Sequence, residues 1–176
     1  VAYRRLFGVI PQDFVHFEFS ARENIWFGSI ERSSDDEGIA AAARMAGADD
    51  IVRRLPKAYD TVLGRLFAGG EELSIGEWQK IVLARVAFSL SPILVFDEPT
   101  SALDAEAEFS FCSRFRQLAA GRTAIVISHR LSTVRMMDRI VVLEKGRIVE
   151  SGTHLELVSK HGTYAKLFEI QARPYR

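Results

Sequence analysis

The sequence predicts an α/β fold built on a parallel sheet with a helical insert. Short β-branched and aliphatic runs alternate with helical patterns and turn signals along the chain, the rhythm of strands joined by crossover helices. The run Ile93-Leu94-Val95-Phe96 is apolar at every position, as expected of a central strand covered by helices on both faces. A long helical stretch separates the first strand from this one. Composition agrees: 176 residues, 48% of them hydrophobic, are enough for an ordinary globular core and exclude a disordered chain. The 23 basic side chains balance the 23 acidic ones, so there is no general attraction to nucleic acid or anionic lipid.

In chain order, Leu6 to Ile10 is the first expected strand. Helices are expected from Asp35 to Ala46, closed by Gly47, from Asp49 to Leu55, closed by Pro56, and from Gly76 to Leu90. Asp35-Asp36-Glu37 suits the first turn of a helix after Ser34, where carboxylates meet the positive end of the dipole. After the central strand, Phe111, Phe115 and Leu118 fall at i, i+4 and i+7, so Ala105 to Ala120 reads as an amphipathic helix ending at Gly121, with Cys112 as core packing. Thr123 to Ile127 is a further strand. Arg139 to Leu143 and Arg147 to Glu150 form an antiparallel hairpin over the three-residue loop Glu144-Lys145-Gly146. One cysteine forms no internal disulfide, which favours a reducing compartment. Lys80, Arg85 and Pro92 interrupt the longest apolar stretch, so no spanning helix is expected. Val1-Ala2-Tyr3-Arg4-Arg5 has neither an initiator methionine nor a signal-peptide pattern, and the chain reads as a fragment.

The sharpest chemical signal is Ile93-Leu94-Val95-Phe96-Asp97-Glu98, a strand delivering two carboxylates to its carboxyl end, where ligands bind in open α/β sheets. Phosphoryl transfer gives adjacent acids there a use: Asp97 holds Mg²⁺, directly or through water, and Glu98 takes or orients the proton of the attacking water. The alternative is a plain strand end leading into the turn Pro99-Thr100-Ser101. Gln12 follows the first strand and Pro11, from where an amide reaches a metal or its water; a surface-loop glutamine is the other reading. His129 follows Thr123 to Ser128 at another strand end, where an imidazole either hydrogen-bonds a terminal phosphate or is merely structural. Leu73-Ser74-Ile75-Gly76-Glu77 opens a helix whose free N–H groups suit phosphate, though Ser74 and Glu77, three apart, also make a capping box by themselves.

Together these segments resemble the Q-loop, signature, Walker B, D-loop and switch-histidine segments of the ATP-binding cassette (ABC) domain, over essentially the whole chain. Ile10-Pro11-Gln12, Glu23-Asn24-Ile25, Phe96 to Asp104, Ser128-His129-Arg130 and Glu150 to His154 are similar to the exporter branch, in which a membrane domain precedes the cassette. The resemblance implies a P-loop NTPase (RecA-like) core at 1-13 and 91-176, with its front portion missing, and an α-helical subdomain at about 14-90. It implies ATP and Mg²⁺ as ligands. Gln12 and Asp97 would serve the metal, Gln12 also sensing the membrane domain, Glu98 would be the catalytic base, and His129 would contact the γ-phosphate. Ser74 and Gly76 would bind ATP held by a second cassette, and Asp104 would bridge the two. The parent would work at the cytoplasmic face of the cell membrane, with the isolated chain soluble in the cytoplasm.

Departures from the family pattern set further expectations. No G-x-x-x-x-G-K-[ST] loop occurs, so the isolated chain is expected to be inactive. Gly64 and Gly69 have the right spacing, but Gly70 and Glu71 stand where lysine and Ser/Thr belong, and the acid would repel phosphate. Ile75 replaces the first of two signature glycines and Glu77 a glutamine. Arg65, Phe67 and Trp78 look like subgroup traits. A second reading is therefore a non-hydrolytic regulatory half-site in a heterodimer. A third, a soluble ABC-type ATPase on DNA or ribosomes, lacks coiled-coil insertions and a basic tract.

Overall fold

The computed structural model describes residues 2–101 and 103–172. The chain divides into two compact units, one running to Ile127 and one beginning at Ser128. In the first, strand β1 (Phe7–Ile10) pairs in parallel with β2 (Ile93–Asp97), and β2 with β3 (Thr123–Ile127). The register sets Ile10 beside Phe96 and Phe96 beside Val126, so the three strands end together. Leu6, expected to begin β1, instead closes a 3₁₀ turn over Ala2–Leu6.

Between β1 and β2 lie helices α1 (Ala21–Trp26), α2 (Asp36–Ala46), α3 (Asp49–Arg54) and α4 (Ile75–Ser89). Helix α2 is capped by the Asp35 carboxylate rather than Ser34, and Gly47 closes it at φ 69°. Helix α4 is the hub: Trp78, Ile81, Val82, Leu83, Ala84, Val86, Ala87 and Phe88 are all buried, so it is enclosed nearly all round, by α1, α2 and β1. After β2, α5 (Ala105–Ala119) lays Phe111 and Phe115 against Phe96, with Phe115 edge-on at 4.9 Å, and Cys112 is buried as expected.

The two faces of the sheet differ in their cover. Ile10, Leu94 and Phe96 are buried on one face, whereas Phe7, Val9, Ile125 and Ile127 stand 42–51% exposed on the other. Within the first unit α4 and α5 both pack on the side of Leu94 and Phe96. Ile93 and Val95 of the central strand are half-buried on the opposite face.

The second unit contains α6 (Leu131–Val134), the antiparallel pair β4 (Ile140–Glu144) and β5 (Arg147–Gly152), α7 (His154–Ser159) and α8 (Thr163–Ala172). Leu131, Ile140, Leu157 and Tyr164 form its small core. The β4–β5 loop is two residues, not three: Glu144 pairs with Arg147, and Lys145 and Gly146 both take positive φ, 49° and 76°. The Glu150 carboxylate of β5 accepts the Thr163 and Tyr164 N–H groups at the start of α8. A Cβ on Gly162 would lie 2.0 Å from that carboxylate, so a larger residue there would push it off the two N–H groups.

Candidate functional site

The common end of β1 and β2 brings three expected residues to one edge of the first unit. Gln12 stands two residues beyond Ile10, Asp97 is the last residue of β2, and Glu98 follows it. Glu98 is held at φ 50°, the left-handed region, while its N–H donates to the Ile127 carbonyl at 2.9 Å. A non-glycine residue there costs about 1–3 kcal/mol, and such strain gathers where a side chain must be aimed. The chain then runs through two turns, Ser101 N–H to Glu98 O and Leu103 N–H to Thr100 O, both 3.1 Å, into Asp104, whose carboxylate caps α5 by accepting from the Ala107 N–H at 2.8 Å. A carboxylate and an amide oxygen at one sheet edge are hard donors of the kind Mg²⁺ takes, so Asp97 and Gln12 fit that ion.

Ser74, Gly76 and Asp104 assemble elsewhere, on a cavity of about 340 Å³ between α4 and α5 that Lys80, Leu103 and Arg114 also line. The capping box is real: Ser74 N–H and Oγ donate to the Glu77 carboxylate at 2.9 and 2.8 Å, and Glu77 N–H donates back to Ser74 Oγ at 3.3 Å. Ile75, in the first turn, is 60% exposed. A Cβ added to Gly76 would meet only Leu103 Cδ2, at 3.9 Å, so nothing within the chain demands glycine there.

The Ser74 N–H, its hydroxyl, and Arg54 and Lys80 nearby hold the Glu77 carboxyl below the usual carboxylate range against the opposing effect of burial. A depressed folded-state pKa contributes stability above the ordinary value of 4.5 that is lost as pH falls through the folded value. The melting temperature is therefore expected to drop on acidification below about pH 4 by more in the wild type than in Glu77→Gln, whose amide still closes the box but does not titrate. Equal slopes in paired thermal melts would reject this.

His129 opens the second unit, where Gln171 fixes its backbone: the Gln171 amide donates to the His129 carbonyl at 2.8 Å and accepts the Leu131 N–H at 3.2 Å. Gln171 was not foreseen, because a glutamine 42 residues away leaves no local pattern. Asn24, fully buried in α1, is a hydrogen-bond centre for the segment after Gln12, a role that its resemblance to the exporter pattern does not reveal. Its amide donates to the Phe17, Phe19 and Ser20 carbonyls at 2.8–3.1 Å, and its side-chain oxygen accepts from Arg85 at 2.9 Å. The one sequence signal was an asparagine of poor helix propensity inside a short helix.

Gly64 to Gly70 is not a phosphate cradle. The Glu18 carboxylate already accepts the Leu66 N–H at 2.7 Å and lies against Gly64, occupying the loop with negative charge. Among the described residues no helix is long and apolar enough to cross a membrane.

Residues 1–101 match the family model described as ABC transporter. The chain is 45% identical over 171 residues to the ATP-dependent lipid A-core flippase of Syntrophus aciditrophicus (strain SB), covering 97% of this chain and 28% of the flippase. It is likewise 45% identical over 171 residues to ABC transporter ATM1 of Toxoplasma gondii (strain ATCC 50611 / Me49), covering 97% of this chain and 15% of that protein. A solved bacterial Atm1-family ABC exporter with ATP bound superposes with a TM-score of 0.85 at 41% identity, covering 96% of this chain and 29% of that one. The chain thus spans less than a third of each of these relatives.

Proposed function

The chain belongs to the ABC transporter family, as an exporter-type ATP-binding domain with the P-loop NTPase fold, and from that premise we propose that it is the larger part of one cassette of a membrane exporter, converting ATP hydrolysis into transport. The observation that carries this reading is the shared end of β1 and β2, where Gln12, Asp97 and the left-handed Glu98 stand together. Asp97 and Gln12 supply the oxygen donors for Mg²⁺, which when bound neutralises phosphate charge. Glu98 accepts the proton of the attacking water, and His129 hydrogen-bonds the terminal phosphate. Ser74, Gly76 and Asp104 face the nucleotide of a second cassette, so a pair of cassettes and a transmembrane domain are the expected partners, at the cytoplasmic face of the membrane. Lipid A-core is the cargo in the flippase's own name and ABC transporter ATM1 carries none in its name, so no cargo is assigned to this chain.

The 176 residues alone contain no lysine-bearing phosphate loop, and Asp97 and Glu98 present like charge to a polyphosphate. Isothermal titration of this chain with Mg-ATP is expected to show no saturable binding below about 1 mM. A micromolar affinity would overturn the division of labour proposed here.

A further inference from the structure

The segment after Gln12 has no regular structure from Phe14 to Glu18, yet it is clamped to α4 at two points. The His16 imidazole stacks face to face on the Trp78 indole, with ring centroids 4.3 Å apart and planes within 2°. Phe14 leans on the same imidazole at 5.4 Å. One residue on, the Phe17 ring lies under the Arg85 guanidinium at 4.7 Å. Trp78 and Arg85 are seven apart in α4, two helical turns, and therefore on one face. Trp78 is 1% exposed and belongs to the turn that presents Ser74: its N–H donates to the Ser74 carbonyl at 2.9 Å, and its indole N–H to Glu72 at 3.2 Å. One pair of stacked rings thus joins the chain leading from Gln12 to the turn carrying Ser74 and Gly76.

We propose that His16 and Trp78 are positioning residues that make the Gln12 segment and the Ser74–Gly76 turn move as one body, so that engagement at Gln12 sets the posture of the turn offered to a second cassette. This rests on the functional reading above. A stack of this kind acts through geometry, because two flat rings favour particular separations and orientations while burying a large apolar area together. It goes beyond the family match, which gives neither His16 nor Trp78 a role, although Trp78 directly follows the signature segment. The charged groups facing the imidazole are Glu72 and Arg85; burial, the largest influence, lowers its proton affinity, Glu72 raises it and Arg85 lowers it again, so the stack is neutral near pH 7.

The test has two arms. In the chain carrying Trp26→Phe, Trp78 is the only indole, and its emission is expected to fall on acidification from about pH 7.5 to about pH 5 as imidazolium forms against it. The midpoint should lie below 6.5, and His16→Leu should abolish the change. Emission independent of pH would overturn the stack. In the full transporter, His16→Ala is expected to lower kcat for ATP about 2- to 30-fold, the range for residues that modulate coupling, with KM held within about twofold. His16→Phe, which keeps a flat ring, should restore kcat. An unchanged kcat in His16→Ala, or a loss that tracks melting temperature and is not rescued by phenylalanine, would overturn the positioning role. A wild-type transporter that hydrolyses no ATP while Trp78 emission still titrates would instead reject the functional reading on which the role rests.

Discussion

Glu98→Gln in the full transporter is expected to leave ATP binding intact and slow hydrolysis about 10²- to 10⁴-fold, the range for removing a positioned general base. That corresponds to about 3–5 kcal/mol of transition-state stabilisation. The substitution is clean because the amide keeps the size of the carboxylate, and because the φ of 50° at this position is a backbone cost that either residue bears alike. What changes is the ability to take a proton. Asp97→Asn should differ in kind, raising the Mg²⁺ concentration needed for half-maximal activity. Steady-state hydrolysis with nucleotide binding measured in parallel decides the matter. A Glu98→Gln rate within about threefold of wild type would mean that this carboxylate is not the base.

Asn24→Ala is expected to destabilise the first unit by about 2–3 kcal/mol, the cost of leaving buried carbonyls without a donor and a buried guanidinium half paired. Removing the side chain deprives the Phe17, Phe19 and Ser20 carbonyls of a donor and takes one acceptor from Arg85, whose pKa burial already pushes down to about 10. Arg85 also donates to the Asn24 backbone carbonyl at 2.8 Å, so half of the pairing survives and the guanidinium stays in place, poorly satisfied. The melting temperature should fall by about 4–12 °C for a domain of this size. Combining Asn24→Leu with Arg85→Met removes donor, acceptor and charge together and should recover much of the loss, a non-additivity that a double-mutant cycle reads directly. A single-mutant cost under about 1 kcal/mol would show that water replaces the amide.

The sequence was informative wherever the cause of a structure lies within a few residues of it. The Ser74–Glu77 box, the closing Gly47 and the phenylalanine stripe of α5 each depend on spacings of three to seven, and each forms as expected. Asp97 and Glu98 were legible as the end of an apolar strand, but the left-handed backbone of Glu98 was not, since it is imposed by the bond to Ile127 on a neighbouring strand. Lys145 shows the same limit: a lysine at φ 49° tightens the β4–β5 loop, where only the following glycine had been expected to turn the chain. Asn24 with Arg85 and His16 with Trp78 are joined across about sixty residues, a separation at which no periodicity survives. The site followed the same division. Motif residues were found one by one, whereas their sorting into a strand-end group and a helix–helix cavity required the fold.

The open face of the sheet has a consequence for the chain in a test tube. Phe7, Val9, Ile125 and Ile127 are four large apolar side chains on one surface, each between 42% and 51% exposed. Contiguous patches of this kind favour association in a way that scattered apolar residues do not. Beside them β1 has no second neighbour among the described strands, leaving backbone donors and acceptors along its rim to receive another chain. This face is therefore one surface through which the isolated chain is expected to associate. Sulfate, which strengthens apolar burial, is expected to promote that association, and dilute urea, by wetting the same carbons, to oppose it.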